Sequence, residues 1–406
     1  MKAYIVDAVR SPIGKRNGTL ANEHPVDLLA RILRSVVDRS GLDPTVIEDH
    51  ITGCVGQVGP QAYNVGRWAW LAAGLPFETP SMSIDRQCGS SQEAVRLAAM
   101  AIMSGQQDIV IASGVEVMSS VPLGASIATL SSETLEKLRS LPVLGKKLRG
   151  LPLPAGNPFT SAALLTRYPD LVQQGVSAGL IAQKWEISRE EMDRFSLRSH
   201  ERALIARAGG FYDDQIIPIA DLTFDEGVRP ETSMEKLAAL REVFTRGAGI
   251  TAGNSSQISD GAAVVLIVSA DAVERYGLTP RAEITALSVR GSDPILMLTG
   301  PIATTVDVLD RAKLHRSDID VVEINEAFAS VVLAWKKELT IPNDWFDEHV
   351  NPNGGAIAHG HPLGATGAVL MTKMVNELER RNGRYGLQVM CEGGGMANAT
   401  IIERVS

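Results

Sequence analysis

The chain has 406 residues, 45% of them hydrophobic and 21% charged. That balance excludes a disordered chain and supplies enough apolar material for two or more domains. The formal net charge of −8 at pH 7 excludes a general nucleic-acid binder, which carries a basic excess.

Met1 to Val9 lacks the long apolar region of a signal peptide and predicts a first strand. Pro25 to Gly41 places Leu28, Leu29, Ile32, Leu33, Val36 and Val37 on one helical face and ends at a glycine stop. Ser83 to Ser91, which carries Cys88, opens a helix running to Gly105. Asp108 to Gly114 then predicts a buried strand.

From about Val121 to Thr245 the composition changes, with more charge, more proline and amphipathic helices. Ser131 to Gly150 holds Lys137, Arg139, Lys146, Lys147 and Arg149 against Glu133 and Glu136. Such a run ordinarily marks a solvated helical face. The sharper reading is an attractor for a ligand's phosphates. Lys184 to Arg207 predicts one helix, and Ser188 to Glu191 matches a capping box.

Val321 to Ile324 predicts a strand that meets a polar corner at Asn325 and Glu326. Asn351 to Gly364 is glycine-rich, Ala365 to Arg380 predicts a helix, Leu387 to Cys391 a strand, and Glu392 to Gly395 a tight turn. Loop, helix, strand and glycine turn thus occur twice, in halves alike in organisation and poor in identity. Two such halves facing each other put two loop sets at one site. No run approaches the ~18 apolar residues of a membrane span.

Three cysteines, Cys54, Cys88 and Cys391, form no CxxC pair, so neither a zinc ribbon nor a disulfide framework is indicated. Free thiols fit a reducing, cytoplasmic setting. Cys88 stands between a strand and a helix among small neighbours. A helix N-terminus there favours the nucleophilic thiolate; the plain alternative is a buried inert cysteine. His359 and His361 lie in the glycine-rich loop. Histidine suits proton transfer near neutral pH, and no nearby third ligand makes them a metal pair. Asn325 could orient a water or a histidine, or simply form an Asx turn. Cys391 offers a second thiol, with an ordinary pKa of about 8.5 suited to proton exchange. Cys, His and Asn would also serve a papain-type hydrolase. Two thiols in repeated halves favour a more specialised acyl transfer.

These residues resemble the thiolase family. The matching segments are Arg86 to Ser91 around Cys88, Gly114 to Ser119, Thr251 to Gly261, Asn325 to Phe328, Gly360 to Pro362, and Cys391 with Gly393 to Gly395. They stand in family order and span nearly the whole chain. The resemblance implies the α/β thiolase fold: two βαβαβαββ halves in a five-layer αβαβα core, with an inserted loop domain. The halves would be residues 1–120 plus 246–271, and 272–406. The inserted, coenzyme A-covering domain would be residues 121–245.

It also implies roles. His361 takes the proton of Cys88, and the thiolate attacks C3 of a 3-oxoacyl-CoA. Backbone N–H groups of Cys88 and Gly393 stabilise one oxyanion. His361 and a water held by Asn325 stabilise the other. Cys391 protonates the departing enolate and then deprotonates incoming coenzyme A. Ser256, Met297 and Phe328 would contact coenzyme A or substrate. Coenzyme A is a substrate; no permanent cofactor, metal, nucleic acid or membrane is implied, and a homodimer or homotetramer is expected. A ketosynthase-like condensing enzyme and a silent acyl-CoA or lipid-binding module are the rival readings. Gly89 to Gln92, His359 and Glu392 depart from the commonest family pattern. Arg167 to Asp170 and Ser188 to Met192 resemble a bacterial catabolic subgroup, some of whose members take bulky sterol-derived acyl groups.

Overall fold

The computed structural model describes residues 1–127, 137, 140 and 157–405. Apart from Lys137 and Ser140, the basic stretch at 131–150 lies outside the described residues.

Alternating and continuous apolar runs build ten strands: β1 (Ala3–Arg10), β2 (Gly14–Lys15), β3 (Asp49–Gly53), β4 (Ser81–Ile84), β5 (Ile109–Val117), β6 (Ser259–Ser269), β7 (Ala282–Gly291), β8 (Ile319–Ile324), β9 (Tyr385–Glu392) and β10 (Met396–Arg404). Their order is β4-β3-β5-β6-β1-β7-β10-β9-β8, with β2 paired to β6. β5 and β6 are buried at every residue. This is why they read as near-unbroken apolar runs: both faces are covered.

The order carries the repeat. In the first half β3 pairs in parallel with β4 and β5, and β6 then runs antiparallel between β5 and β1. In the second half β8 pairs in parallel with β9, and β10 runs antiparallel between β9 and β7. A parallel bridge from Val322 to Val350 stands where β4 stands in the first half. The halves join by antiparallel pairing of Tyr4 with Glu283 and Ile5 with Ala282.

The predicted helix at 25–41 is α1 (Pro25–Ser40), with Pro25 in its first turn and Gly41 closing it at φ 67°. α1 and α2 (Val65–Ala72) cover the outer face of the first half. α3 (Ser90–Met103) follows the Cys88 turn. In the insertion between β5 and β6 lie α4 (Gln174–Lys184) and α5 (Arg189–Ala208). α6 (Gly300–Ala312), with α7 (Ala329–Glu338) beside it, covers the outer face of the second half. α8 (Thr366–Arg381) packs on α3, and the pair fills the layer between the two halves. This is the five-layer order that the resemblance implies.

One boundary is corrected. The predicted helix from Lys184 to Arg207 is present but starts only at Arg189. Lys184 ends α4, Glu186 adopts φ 49°, and Ser188 caps α5 with the full reciprocal box to Glu191. The capping box is a start signal, and it overrides the helical spacing that runs through it.

The central layer depends on small residues. A methyl built on Gly367 would lie 2.2 Å from the Gln92 backbone nitrogen, and one on Gly114 would lie 2.2 Å from the Gly364 carbonyl oxygen. Ser91 Oγ accepts from the Ala368 N–H at 2.9 Å, which ties the first turn of α8 to that of α3. The insertion is anchored by Asp225, which takes a bidentate pair from the buried Arg10 of β1 at 2.7 and 3.0 Å. A Gly367→Val chain is expected to lose roughly 3 kcal/mol of stability, the range of overpacking, measured as the shift in denaturant midpoint.

Candidate active site

Cys88 sits on a turn that the local sequence forces. Asp85 Oδ1 accepts the Gln87 N–H at 2.7 Å, and Gln87 is held at φ 50°, unusual for a side chain other than glycine. Gly89 N–H reaches the Arg86 carbonyl at 3.1 Å, and Ser90 Oγ accepts the Arg86 N–H at 2.9 Å. The result is a cysteine at the mouth of α3, buried with Leu370 and Met390.

Burial pushes the Cys88 thiol up, and Cys391 and Glu392 push it further. The backbone N–H groups of Cys88 and Gly393 pull the other way. The expected preference for thiolate at a helix N-terminus is therefore outweighed: loss of water costs the anion more than the helix end returns. The resting thiol is neutral, so a base must take its proton during the reaction.

His361 is the candidate for that base. Gln257 carbonyl oxygen accepts its backbone N–H at 3.0 Å. Gln257 Nε2 in turn donates to the carbonyls of Gly227, Ile357 and Ala358, joining the insertion to the histidine loop. Glu116, from the first half, accepts the Gly364 N–H at 2.9 Å along with Val55, Gly56 and Gln61. His361 Nδ1 lies 2.6 Å from Thr366 Oγ1, whose own hydrogen goes to the Pro362 carbonyl. Thr366 must then accept from Nδ1–H, which leaves Nε2 unprotonated, its lone pair an acceptor. Burial lowers the ring to about 4, so it is neutral at physiological pH.

Asn325 closes the set. Asn351 brackets the end of β8, accepting the Ile324 N–H and donating to its carbonyl, each at 2.9 Å. Asn325 follows, with Nδ2 3.4 Å from His361 Nε2 and 3.8 Å from Cys391 Sγ. Burial pushes Cys391 up to about 12, against the pull of the Asn325 amide. Histidine and thiol thus share one amide.

The other predicted positions divide. Ser256 N–H binds the Ala327 carbonyl at 2.9 Å, and Ser255 bridges to Phe328, whose ring meets Phe244 edge-on. Met297 is buried in the same apolar cluster as Phe328 and Cys391. His359 points away from the site: Nδ1 is 2.9 Å from Asp225 Oδ2 and Nε2 2.9 Å from the Asn353 carbonyl. Thr366, Gln257 and Glu116 were not singled out from sequence. Two of them lie inside motifs already noted, and Thr366 follows His361 by five residues in the same loop. Their signal was the motif; their roles needed the fold. A cavity of about 490 Å³ lies beside this loop, lined by His200, Arg229, Lys236, Leu237, Gln257 and Ile357 among others. Among the described residues no cluster of three metal-ligating side chains occurs.

Residues 3–271 match the family model described as thiolase, N-terminal domain, and residues 278–404 match thiolase, C-terminal domain. A steroid 3-ketoacyl-CoA thiolase of Mycobacterium tuberculosis is 49% identical, over 100% of this chain and 94% of that protein. A beta-ketoadipyl-CoA thiolase of Escherichia coli is 40% identical over 100% of both. The crystal structure of the Bacillus anthracis acetyl-CoA acetyltransferase superposes with a TM-score of 0.85 at 35% identity, covering 100% of this chain and 99% of that one.

Two outcomes are expected from the site's geometry. Thr366→Val removes the Nδ1 acceptor and lowers kcat roughly 10²-fold, the low end of what a positioned base supplies. In the wild type the acid limb of kcat/KM falls near pH 4 and not near the ordinary 6.5, because the depressed ring stays neutral until then. A limb near 6.5 in a pH–rate profile would reject His361 as the base.

Proposed function

The chain belongs to the thiolase family, acyltransferases that cleave 3-oxoacyl-CoA with coenzyme A or run the reverse condensation, and on that premise we propose how its residues divide the reaction. The observation that carries the proposal is the Asn325 amide within reach of both His361 Nε2 and Cys391 Sγ, beside the Cys88 turn.

His361 Nε2 takes the Cys88 proton, and the thiolate attacks the 3-oxo carbon. Backbone N–H groups of Cys88 and Gly393 receive the oxyanion; both already act on the Cys88 sulfur. The C2–C3 bond breaks, and Cys391 gives its proton to the leaving enolate. That enolate's oxygen is held by His361 and a water on Asn325. Cys391 then takes the thiol proton of coenzyme A, which attacks the Cys88 thioester. Carbon–carbon cleavage and acyl transfer are separated in time, so the kinetics are ping-pong.

Coenzyme A is the second substrate, and nothing in the scheme calls for a bound cofactor. The 490 Å³ cavity is its proposed berth, with Arg229 and Lys236 for phosphate groups and Ser256, Met297 and Phe328 toward the reacting end. The insertion, residues 121–245, covers it. The names of the relatives support catabolic thiolysis of an acyl group larger than acetyl. Among the described residues no helix is long and apolar enough to cross a membrane, and the buried, unpaired cysteines fit a cytoplasmic setting.

A homodimer is part of the proposal. β4 is an edge strand, and exposed edges with apolar surroundings invite pairing. Met82 on β4, Phe77 before it and Trp68 on the adjoining α2 are exposed at 42%, 71% and 44%. A Phe77→Asp, Met82→Asp double variant is expected to elute as a monomer in light-scattering chromatography, and a monomeric parent would reject the interface.

The chemistry is tested by intact-protein mass spectrometry after adding acetoacetyl-CoA without free coenzyme A. An acetyl adduct mapping to Cys88 and discharged by coenzyme A is expected. Cys88→Ser should lose turnover by about 10³-fold or more. Cys391→Ala should still take an acyl group from acyl-CoA but scarcely cleave or condense. Near-normal turnover in either variant overturns the assigned role.

A further inference from the structure

Glu392 follows the second cysteine and is used by none of the steps above. It is fully buried, and neither carboxyl oxygen has a hydrogen-bond partner. The molecule does not treat its other buried acids this way. Glu116 receives four donors, and Glu326 receives Ser199, Asn351 and the Ile357 N–H.

The nearby donors face another acid. Arg96 and Arg86 both bind Glu93, as does the Asn398 amide. Three further amide oxygens on this seam between α3 and the β9–β10 pair also lack a donor: Gln92 Oε1, Gln388 Oε1 and Asn398 Oδ1. An ionised carboxylate with no donor of its own, out of water, costs far more than the neutral acid.

Its place beside the nucleophile is set by Gly89. A methyl built there would lie 1.9 Å from Glu392 Oε1, so the carboxyl rests against the backbone immediately after Cys88. A side chain at position 89 would have to displace that carboxyl.

We propose that Glu392 is a positioning residue for the nucleophile: a buried neutral acid whose ionisation suppresses thiolate formation at Cys88 and so sets an upper pH bound on acyl transfer. The proposal rests on Cys88 being the nucleophile. The charged and titratable groups that face Glu392 are Arg86 and Arg96, which favour its anion, Glu93, which opposes it, and the two thiols. Their balance with burial puts the carboxyl at about 8. Below that pH it is neutral and leaves Cys88 alone. Above it, a negative charge stands beside the sulfur and raises the cost of a second one.

The test is the rate of Cys88 carbamidomethylation by iodoacetamide, followed by peptide mapping, in the full-length wild type and in Glu392→Gln. The ratio of variant to wild-type rate should be near one at pH 6.5. By pH 9 it should rise to about fivefold or more, as removal of a neighbouring charge dictates. Glu392→Met, uncharged and of similar length, should give the same rise and serves if the glutamine variant does not fold. A ratio that does not change with pH overturns the proposal. Absence of Cys88 labelling at every pH overturns the nucleophile assignment as well.

Discussion

Withdrawal of the reacting groups from water governs this site. Cys88, Cys391 and His361 are all buried, and burial moves each of them toward its neutral form. The imidazole becomes a base that is never idle as a cation near neutral pH. The thiols become acids that part with a proton only when something specific receives it. On the proposed roles, reactive anions exist only while a substrate and its fixed donors are in place, which protects both the thioester and the enolate from water. The proposed stabilising dipoles are two backbone N–H groups, at Cys88 and Gly393, and one side-chain amide, at Asn325.

The fold supplies that dry site by pressing two helix starts together. α3 begins behind the nucleophile and α8 behind the base. They come from opposite halves of the chain, and serine, glycine and alanine at their first turns allow the contact. Glu116 then crosses from one half to hold the histidine loop of the other. Base and nucleophile are thus fixed by the same packing that holds the halves together.

Much of this was legible in the residues. The helical face of α1, the buried strand β5, the glycine turn after Cys391 and the loop around His361 all announce themselves by periodicity or by glycine. The family motifs bring Cys88, Asn325, His361 and Cys391 onto one list before any fold is known. What could not be read was which way things point. The motif singles out His361, whose ring meets Thr366 and the Asn325 amide, but nothing in it says that His359 is pinned on Asp225 of the insertion. The spacing that continues through Ser188 put the helix start at Lys184, although the capping box read at Ser188 marks the true start. The benefit of a helix N-terminus to Cys88 was visible; the burial that exceeds it depends on Leu370 and Met390, hundreds of positions away, and no local pattern encodes that.

The ends of the insertion have a further meaning. Val117 and Asp260 lie opposite each other at the close of the β5–β6 pair, one strand spacing apart at about 5 Å, and Ser119 fastens to Asp260 through both its N–H and its hydroxyl. Everything between leaves and returns through a single sealed gate in an already complete hairpin. Asp225 and Gln257 must stay, because buried Arg10 of β1 and the His361 backbone depend on them. The stretches of the excursion away from those two anchors can lengthen or shorten at little more than the slowly growing entropy of closing a longer loop. The length of the excursion and the strand pairing that closes it can therefore change independently.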